Sequence, residues 1–134
     1  MTLALQLLMD LSLNVRALIS QRLVAREGGV GRVAAMEIML NSPLISDLIF
    51  KGDVAQIKEV MSRSTRMGMQ TFDQALYALY ESGAISYEDA LRNADSKNEL
   101  RLKVKLESRR EDHLAHEQST SLHLAEDSEA GRVL

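Results

Sequence analysis

Apolar residues recur along this chain with two alternating periods, and each change of period predicts a change of element. Over residues 3–20, Leu8, Leu11, Val15 and Leu18 line one side while Gln6, Asp10 and Asn14 repeat four apart on another. That spacing predicts an amphipathic helix with a wide apolar face. From Leu23 to Arg26 and again from Arg32 to Leu40 the period shortens to two, around the turn Glu27-Gly28-Gly29-Val30-Gly31, which predicts a β-hairpin. Its second strand sets Val33, Ala35, Glu37 and Met39 against Ala34, Met36, Ile38 and Leu40. A strand apolar on nearly both faces normally lies inside a covered sheet, so the hairpin expects more strands than this sequence supplies.

After Asn41 the helical period returns in short, punctuated pieces. Ser42 caps a helix that begins at Pro43, where a missing N–H is harmless, and Gly52 closes it after Leu44, Ile45, Leu48 and Ile49 have formed its apolar edge. Asp53 with Gln56 opens the next, striped by Val54, Ile57, Val60 and Met61 and ended by Gly68. Thr71 and Gln74 form a capping box for a third, carrying Phe72, Ala75, Leu76, Leu79 and Tyr80 up to Gly83. Ser86 with Asp89 starts a fourth across Tyr87 to Asn93, and Ser96 caps a fifth through Leu100, Val104 and Leu106. Helices this short are marginal alone, so they must pack as a bundle. Beyond Glu107 no apolar period continues, which predicts a frayed helix followed by disorder. The expected fold is therefore mainly α. It comprises a helix and hairpin over residues 1–41, a bundle of short helices over 42–106, and an acidic, disordered tail over 107–134.

Composition refines this picture in three places. Aromatics make up only 4% of the 134 residues and Trp is absent, so the core must be aliphatic and one domain in size. There is no cysteine, which removes disulfide and thiol chemistry and suits a reducing compartment. The net charge of −3 is uneven: residues 1–106 carry 13 basic and 12 acidic side chains, residues 107–134 carry 3 and 7. Neither part has the clustered basic face that a nucleic acid requires. The Leu- and Met-rich opening is interrupted by Gln6, Asp10, Ser12 and Asn14. It predicts a buried helix of a cytoplasmic protein, with no insertion into a membrane.

Candidate chemistry is sparse. His113 and His116, with Glu117 beside them, have a spacing that could present metal-capable groups on one helical face, but a disordered tail lacks the rigid support a metal site needs. His123 lies further along the same tail. Gly28, Gly29 and Gly31 invite comparison with a phosphate-binding loop. They lack the G-x-x-x-x-G-K-[ST] spacing, and Gly31 is followed by Arg32 and a strand rather than by a helix. No catalytic residue, cofactor-binding residue or metal ligand is therefore assigned. The functional candidate is a protein-contact patch on the helix after Ser42. Leu44, Ile45, Leu48 and Ile49 form its apolar edge, while Phe50 points off that edge beside Lys51, and an off-edge aromatic suits a contact with another protein.

The run G-M-Q-T-F-D-Q-A-L from Gly68 to Leu76, with Y-E-S-G-A-I-S-Y-E-D-A-L-R-N-A-D from Tyr80 to Asp95, closely resembles the C-terminal domain of type IV pilus retraction ATPases. These form the PilT/PilU twitching-motility family, and the PilU branch fits best. The resemblance extends from about Leu7 to Leu106. L-I-S-D-L-I-F-K, Leu44 to Lys51, falls where PilT members carry A-I-R-N-L-I-R-E, a motif the family needs for retraction. Ile45, Leu48 and Ile49 match it; Leu44, Ser46, Asp47, Phe50 and Lys51 depart from it, in keeping with a PilU-type sequence.

That resemblance carries further expectations. The first helix and the hairpin should be pieces of a RecA-like P-loop ATPase sheet, with exposed faces that promote self-association. The family's Walker A loop, aspartate box, Walker B segment and histidine box have no counterpart in these residues, so ATP and Mg2+ would belong to the full-length family and the isolated chain is expected to be inactive. Expected partners are PilT/PilU-type ATPase subunits, in a homo- or hetero-oligomer such as the family's hexamer, and the pilus inner-membrane platform. The expected location is the cytoplasmic side of the pilus base. A stand-alone helical adaptor without any link to ATP turnover is the competing reading.

Overall fold

In the computed structural model, which describes residues 2–118, six α-helices and one hairpin follow one another as α1 (Leu3–Asn14), β1 (Ala17–Ala25), β2 (Arg32–Leu40), α2 (Pro43–Lys51), α3 (Val54–Arg63), α4 (Phe72–Glu81), α5 (Tyr87–Asn93) and α6 (Lys97–Glu107). A single 3-10 turn, Thr65–Met67, joins α3 to the segment before α4. Residues 112–118 are helical again. The mainly α architecture with one antiparallel hairpin is thus the one the sequence pattern predicts.

The punctuation residues work at close range. Ser42 Oγ accepts from Ile45 N at 3.2 Å, and Gly52 takes the left-handed backbone, φ 68°, that lets its N–H return to Ile49 O. At α4 both halves of the capping box form: Thr71 Oγ1 accepts from Gln74 N at 3.2 Å and Gln74 Oε1 accepts from Thr71 N at 3.0 Å. Gly68, φ 92°, closes the 3-10 turn rather than α3 itself, which already ends at Arg63.

One boundary differs from the periodicity. The helical pattern over residues 3–20 runs through Leu18, yet α1 stops at Asn14 and Ala17–Ser20 belong to β1. The reason lies far along the chain. Asn41 Nδ2 donates to Val15 O at 2.9 Å and to Ser12 O at 3.4 Å, while Asn41 N donates to Arg16 O at 2.9 Å. Ser46 Oγ also donates to Ser12 O. These donors satisfy carbonyls that a helix end leaves open, and residues 17–20 gain ladder partners in Leu40, Met39, Ile38 and Glu37. Tertiary hydrogen bonds outweigh the local preference.

The sheet has two strands, in register from Ala17 opposite Leu40 to Ala25 opposite Arg32. Val24 and Ala35, 1% and 0% exposed, enter the main core with Phe72, Ala75, Leu76 and Tyr80 of α4, Tyr87, Ala90 and Leu91 of α5, and Leu100 and Val104 of α6. A second cluster joins Met39, Ile45, Ile49, Met61 and Met69. The outer edge of β2 is met by Gln70, whose backbone exchanges hydrogen bonds with Ile38 at 2.8 and 2.9 Å and whose side chain donates to Met36 O. No further strand pairs with β1 among the described residues. Ile19 and Leu23, 64% and 54% exposed, remain uncovered, as do Leu3, Leu7 and Leu13 on α1.

Candidate protein-interaction surface

Three hydrogen-bonded anchors place α2. Asn41 holds the end of α1 and the start of β1, its Oδ1 accepts from Ser42 N at 3.0 Å, and Ser42 caps the helix. The helix is then pressed down by three side chains: Ile45, Leu48 and Ile49 are 0%, 9% and 8% exposed. Within the six-residue patch the side chains divide into two groups. Ile45, Leu48 and Ile49 face inward at helical spacing and hold the helix to the core. Leu44, placed by the sequence on the same apolar edge, lies instead at its margin and is 55% exposed; Phe50 is 43% exposed. Lys51 stands in the open and pairs with Asp47 one turn earlier at 2.8 Å, a bond that raises its pKa. The surface that α2 presents is therefore Leu44, Phe50 and the Asp47–Lys51 pair, continued by Val54 at 61% exposure.

A second polar feature lies where the hairpin meets the bundle. Lys58 of α3 reaches Asp95 at 2.6 Å and Glu37 of β2 at 3.3 Å, and Arg22 of β1 reaches Asp95 at 2.8 Å and Asn93 O at 2.8 Å. Glu37 also accepts from Phe72 N at 3.1 Å, so a strand carboxylate sits at the positive N-terminus of α4. The Arg22 guanidinium stacks over the Phe72 ring at 3.9 Å. Burial pushes the Asp95 carboxyl up, but hydrogen bonds from Lys58 and Arg22 outweigh it and hold it below the usual carboxylate range. Burial likewise lowers Lys58, and Asp95 and Glu37 together more than reverse that. The group borders a cleft of about 680 Å³ between α3, α4 and α6. Each charge has an opposite partner, so the arrangement joins elements rather than polarising a substrate. Its one signal in the sequence was Glu37, a lone charge inside an apolar strand.

The region expected to be a frayed helix followed by an acidic, disordered tail is described only in part. Residues 119–134 lie outside the described residues, but 108–118 are packed on the bundle. His113 is 4% exposed, its ring 6.0 Å from that of Tyr87, and the His116 ring meets Tyr87 edge-on at 5.5 Å. Glu117 lies 4.0 Å from Lys105. The histidines thus line an aromatic contact, and no group of three metal-ligand side chains converges among the described residues. Burial and the adjacent Asp112 carboxylate push the Tyr80 hydroxyl far above its usual range, so it stays protonated and donates to Asp112 at 2.6 Å. Periodicity does not record this packing because its contacts are polar and aromatic rather than an apolar stripe.

The nucleotide that the resemblance implies does not fit the one glycine-rich turn. Gly28, Gly29 and Gly31 have φ of 94°, 79° and 78°, and link two antiparallel strands. No helix N-terminus follows to receive phosphates. Nor is any helix among the described residues long and apolar enough to cross a membrane.

No family model matches the chain. Individual proteins do. It is 54% identical over 129 residues, 95% of its own length, to the type IV pilus ATPase PilU of Pseudomonas aeruginosa. It is 43% identical over 84 residues to the type IV pilus retraction ATPase PilT of the same organism, and 38% identical over 90 residues to a twitching motility protein of Neisseria gonorrhoeae. The chain spans 34% of the PilU relative and 24% of each of the other two. Among solved structures, the pilus retraction motor PilT with bound ADP superposes with a TM-score of 0.59 at 35% identity, over 71% of this chain and 26% of that one.

Proposed function

From the premise that this chain belongs to the PilT/PilU family of type IV pilus ATPases over nearly its whole length, we propose that it serves as the C-terminal, helix-rich part of a PilU-like retraction motor, making contacts with motor subunits or the pilus machinery. Its partners in this reading are PilT/PilU-type ATPase subunits, assembled as a homo- or hetero-oligomer of the hexameric kind, and the inner-membrane platform of the pilus. Its place is the cytoplasmic side of the pilus base. ATP and Mg2+ are bound by the motor's nucleotide domain, to which the residues of this chain contribute no phosphate loop. Pilus withdrawal and twitching motility are the activities it supports.

The observation that carries the contact role is the division of α2. Ile45, Leu48 and Ile49 lock the helix into the core, so Leu44, Phe50 and Lys51 are presented from a rigid element. A half-exposed Phe beside an ion pair is the combination from which interface anchors are made, an apolar centre with a polar rim.

The test is capture of the full 134-residue chain by a purified PilT-type hexamer. Wild type should be retained, and the double variant Leu44→Ala, Phe50→Ala should bind about tenfold more weakly or worse, as loss of an interface anchor predicts. Equal retention of both would remove α2 from the contact. No retention of wild type, with or without nucleotide, would favour the adaptor reading.

A further inference from the structure

Arg110 brings together the β1–β2 turn, the end of α4 and the segment that follows α6. Its guanidinium donates to Tyr80 O at 2.7 Å and to Ile85 O at 3.3 Å, the last turn of α4 and the loop beyond it. It reaches both Glu27 carboxylate oxygens at 3.1 Å in the β1–β2 turn and Asp112 at 2.7 Å, and it lies 4.4 Å over the Tyr80 ring. On either side, Ser108 Oγ donates to Glu81, Arg109 N donates to Glu81 at 3.3 Å, and Asp112 accepts the Tyr80 hydroxyl. The turn itself adds a backbone bond, Glu27 N to Ala84 O at 2.9 Å.

This geometry matches the guanidinium's chemistry. Arg offers five donors in a planar fork and keeps its charge at every accessible pH, so one side chain can serve two carbonyls and two carboxylates at once. A cation at the C-terminus of α4 also faces the negative end of the helix dipole. Lys would place one compact charge there and could not span both sides.

We infer that residues 108–113 are a latch, with Arg110 as its bolt, that fastens the β1–β2 turn to the end of α4. The latch is separate from the Lys58–Asp95 group, which joins strand residues Arg22 and Glu37 to α3 and the α5–α6 loop. The turn is therefore held by charge rather than by apolar packing: Val30 at its tip is 81% exposed, and neither Gly28 nor Gly29 has a neighbour within 4 Å of an added Cβ. Contacts of this kind open without unfolding the core, which is what a conformational device requires.

Amide hydrogen exchange on the full chain tests the latch at two sites, Glu27 N–H beside it and Ile38 N–H, bonded to Gln70 at the far end of the hairpin. In Arg110→Ala and in Glu27→Gln, which leaves the two carbonyl bonds of Arg110 in place, Glu27 should exchange about tenfold faster or more while Ile38 stays within about twofold. The double variant should open no further than Arg110→Ala, because both changes break one interaction, and Arg110→Lys should not restore protection. Unchanged exchange at Glu27 in both single variants, or equal acceleration at Glu27 and Ile38, would overturn the latch.

Discussion

Leu23 and Val24 are consecutive residues of one strand, similar in chemistry, yet Leu23 is 54% exposed and Val24 only 1%. The same contrast divides the molecule. Toward the helices, the hairpin buries Val24 and Ala35 and ties Arg22 and Glu37 into ion pairs, so that side is closed by contacts within the chain. On the other face of the strand, Ile19 and Leu23 have comparable apolar content but no cover among the described residues, and on α1 Leu3, Leu7 and Leu13 are exposed as well. Identical side-chain chemistry therefore means core in one place and open surface in the other. The difference lies in which neighbours the chain supplies. Exposed apolar side chains that lie together are candidates for contact with another surface.

The contrast breaks most readily at the closed side. Leu76, 0% exposed at the centre of α4, should cost about 2–5 kcal/mol when changed to Ala, through lost transfer energy and the cavity left behind. Denaturant unfolding monitored by circular dichroism measures this. A cost below about 1 kcal/mol would show that the inner core is no better packed than the outer face.

Where the hairpin meets the bundle a smaller effect is expected. Glu37→Ala removes a partner from Lys58 and leaves the Phe72 N–H without its carboxylate acceptor, costing about 1–3 kcal/mol. The same contact carries a pH signature. Asp95 is held below its ordinary value of 3.8 in the fold, so its contribution is complete above that value and is lost as pH falls through the depressed one. Lys58 is raised above 10.5, so its contribution is present below 10.5 and lost as pH rises through the raised value. Unfolding midpoints should thus be flat near neutrality and fall in acid, with Asp95→Asn falling less steeply. An acid limb identical in wild type and Asp95→Asn would remove Asp95 from that account.

The smallest change in stability should come from the open side. Leu13, 74% exposed, changed to Ser should alter unfolding free energy by no more than about 0.5 kcal/mol. It should nevertheless reduce concentration-dependent association in sedimentation velocity, if the uncovered leucines drive self-contact. A stability loss like that of Leu76→Ala would abolish the distinction between the two sides.

Much of the helical part is legible in the sequence. Ser42, Asp53, Thr71, Ser86 and Ser96 announced their helices, and each accepts a backbone N–H from three residues ahead. Phe72, Ala75, Leu76 and Tyr80 announced the buried face of α4. The candidate surface was half legible: helical spacing located α2 and singled out Phe50, but grouped Leu44 with residues that turn inward. The ion pairs of Arg22, Glu37, Lys58 and Asp95 span up to 73 positions and have no periodic trace.

What the sequence determined by itself was local: where helices begin, which face of each is apolar, where glycine permits a reversal, and the kinship with pilus ATPases. These depend on interactions within a few residues, or on motifs written in one stretch. Only the tertiary structure decided that α1 ends at Asn14, that Leu44 is exposed while Ile45 is buried, and that Arg110 lies against Glu27. Each of those outcomes depends on a donor, acceptor or packing surface that arrives from tens of residues away, and no local period records where such a partner will come to rest.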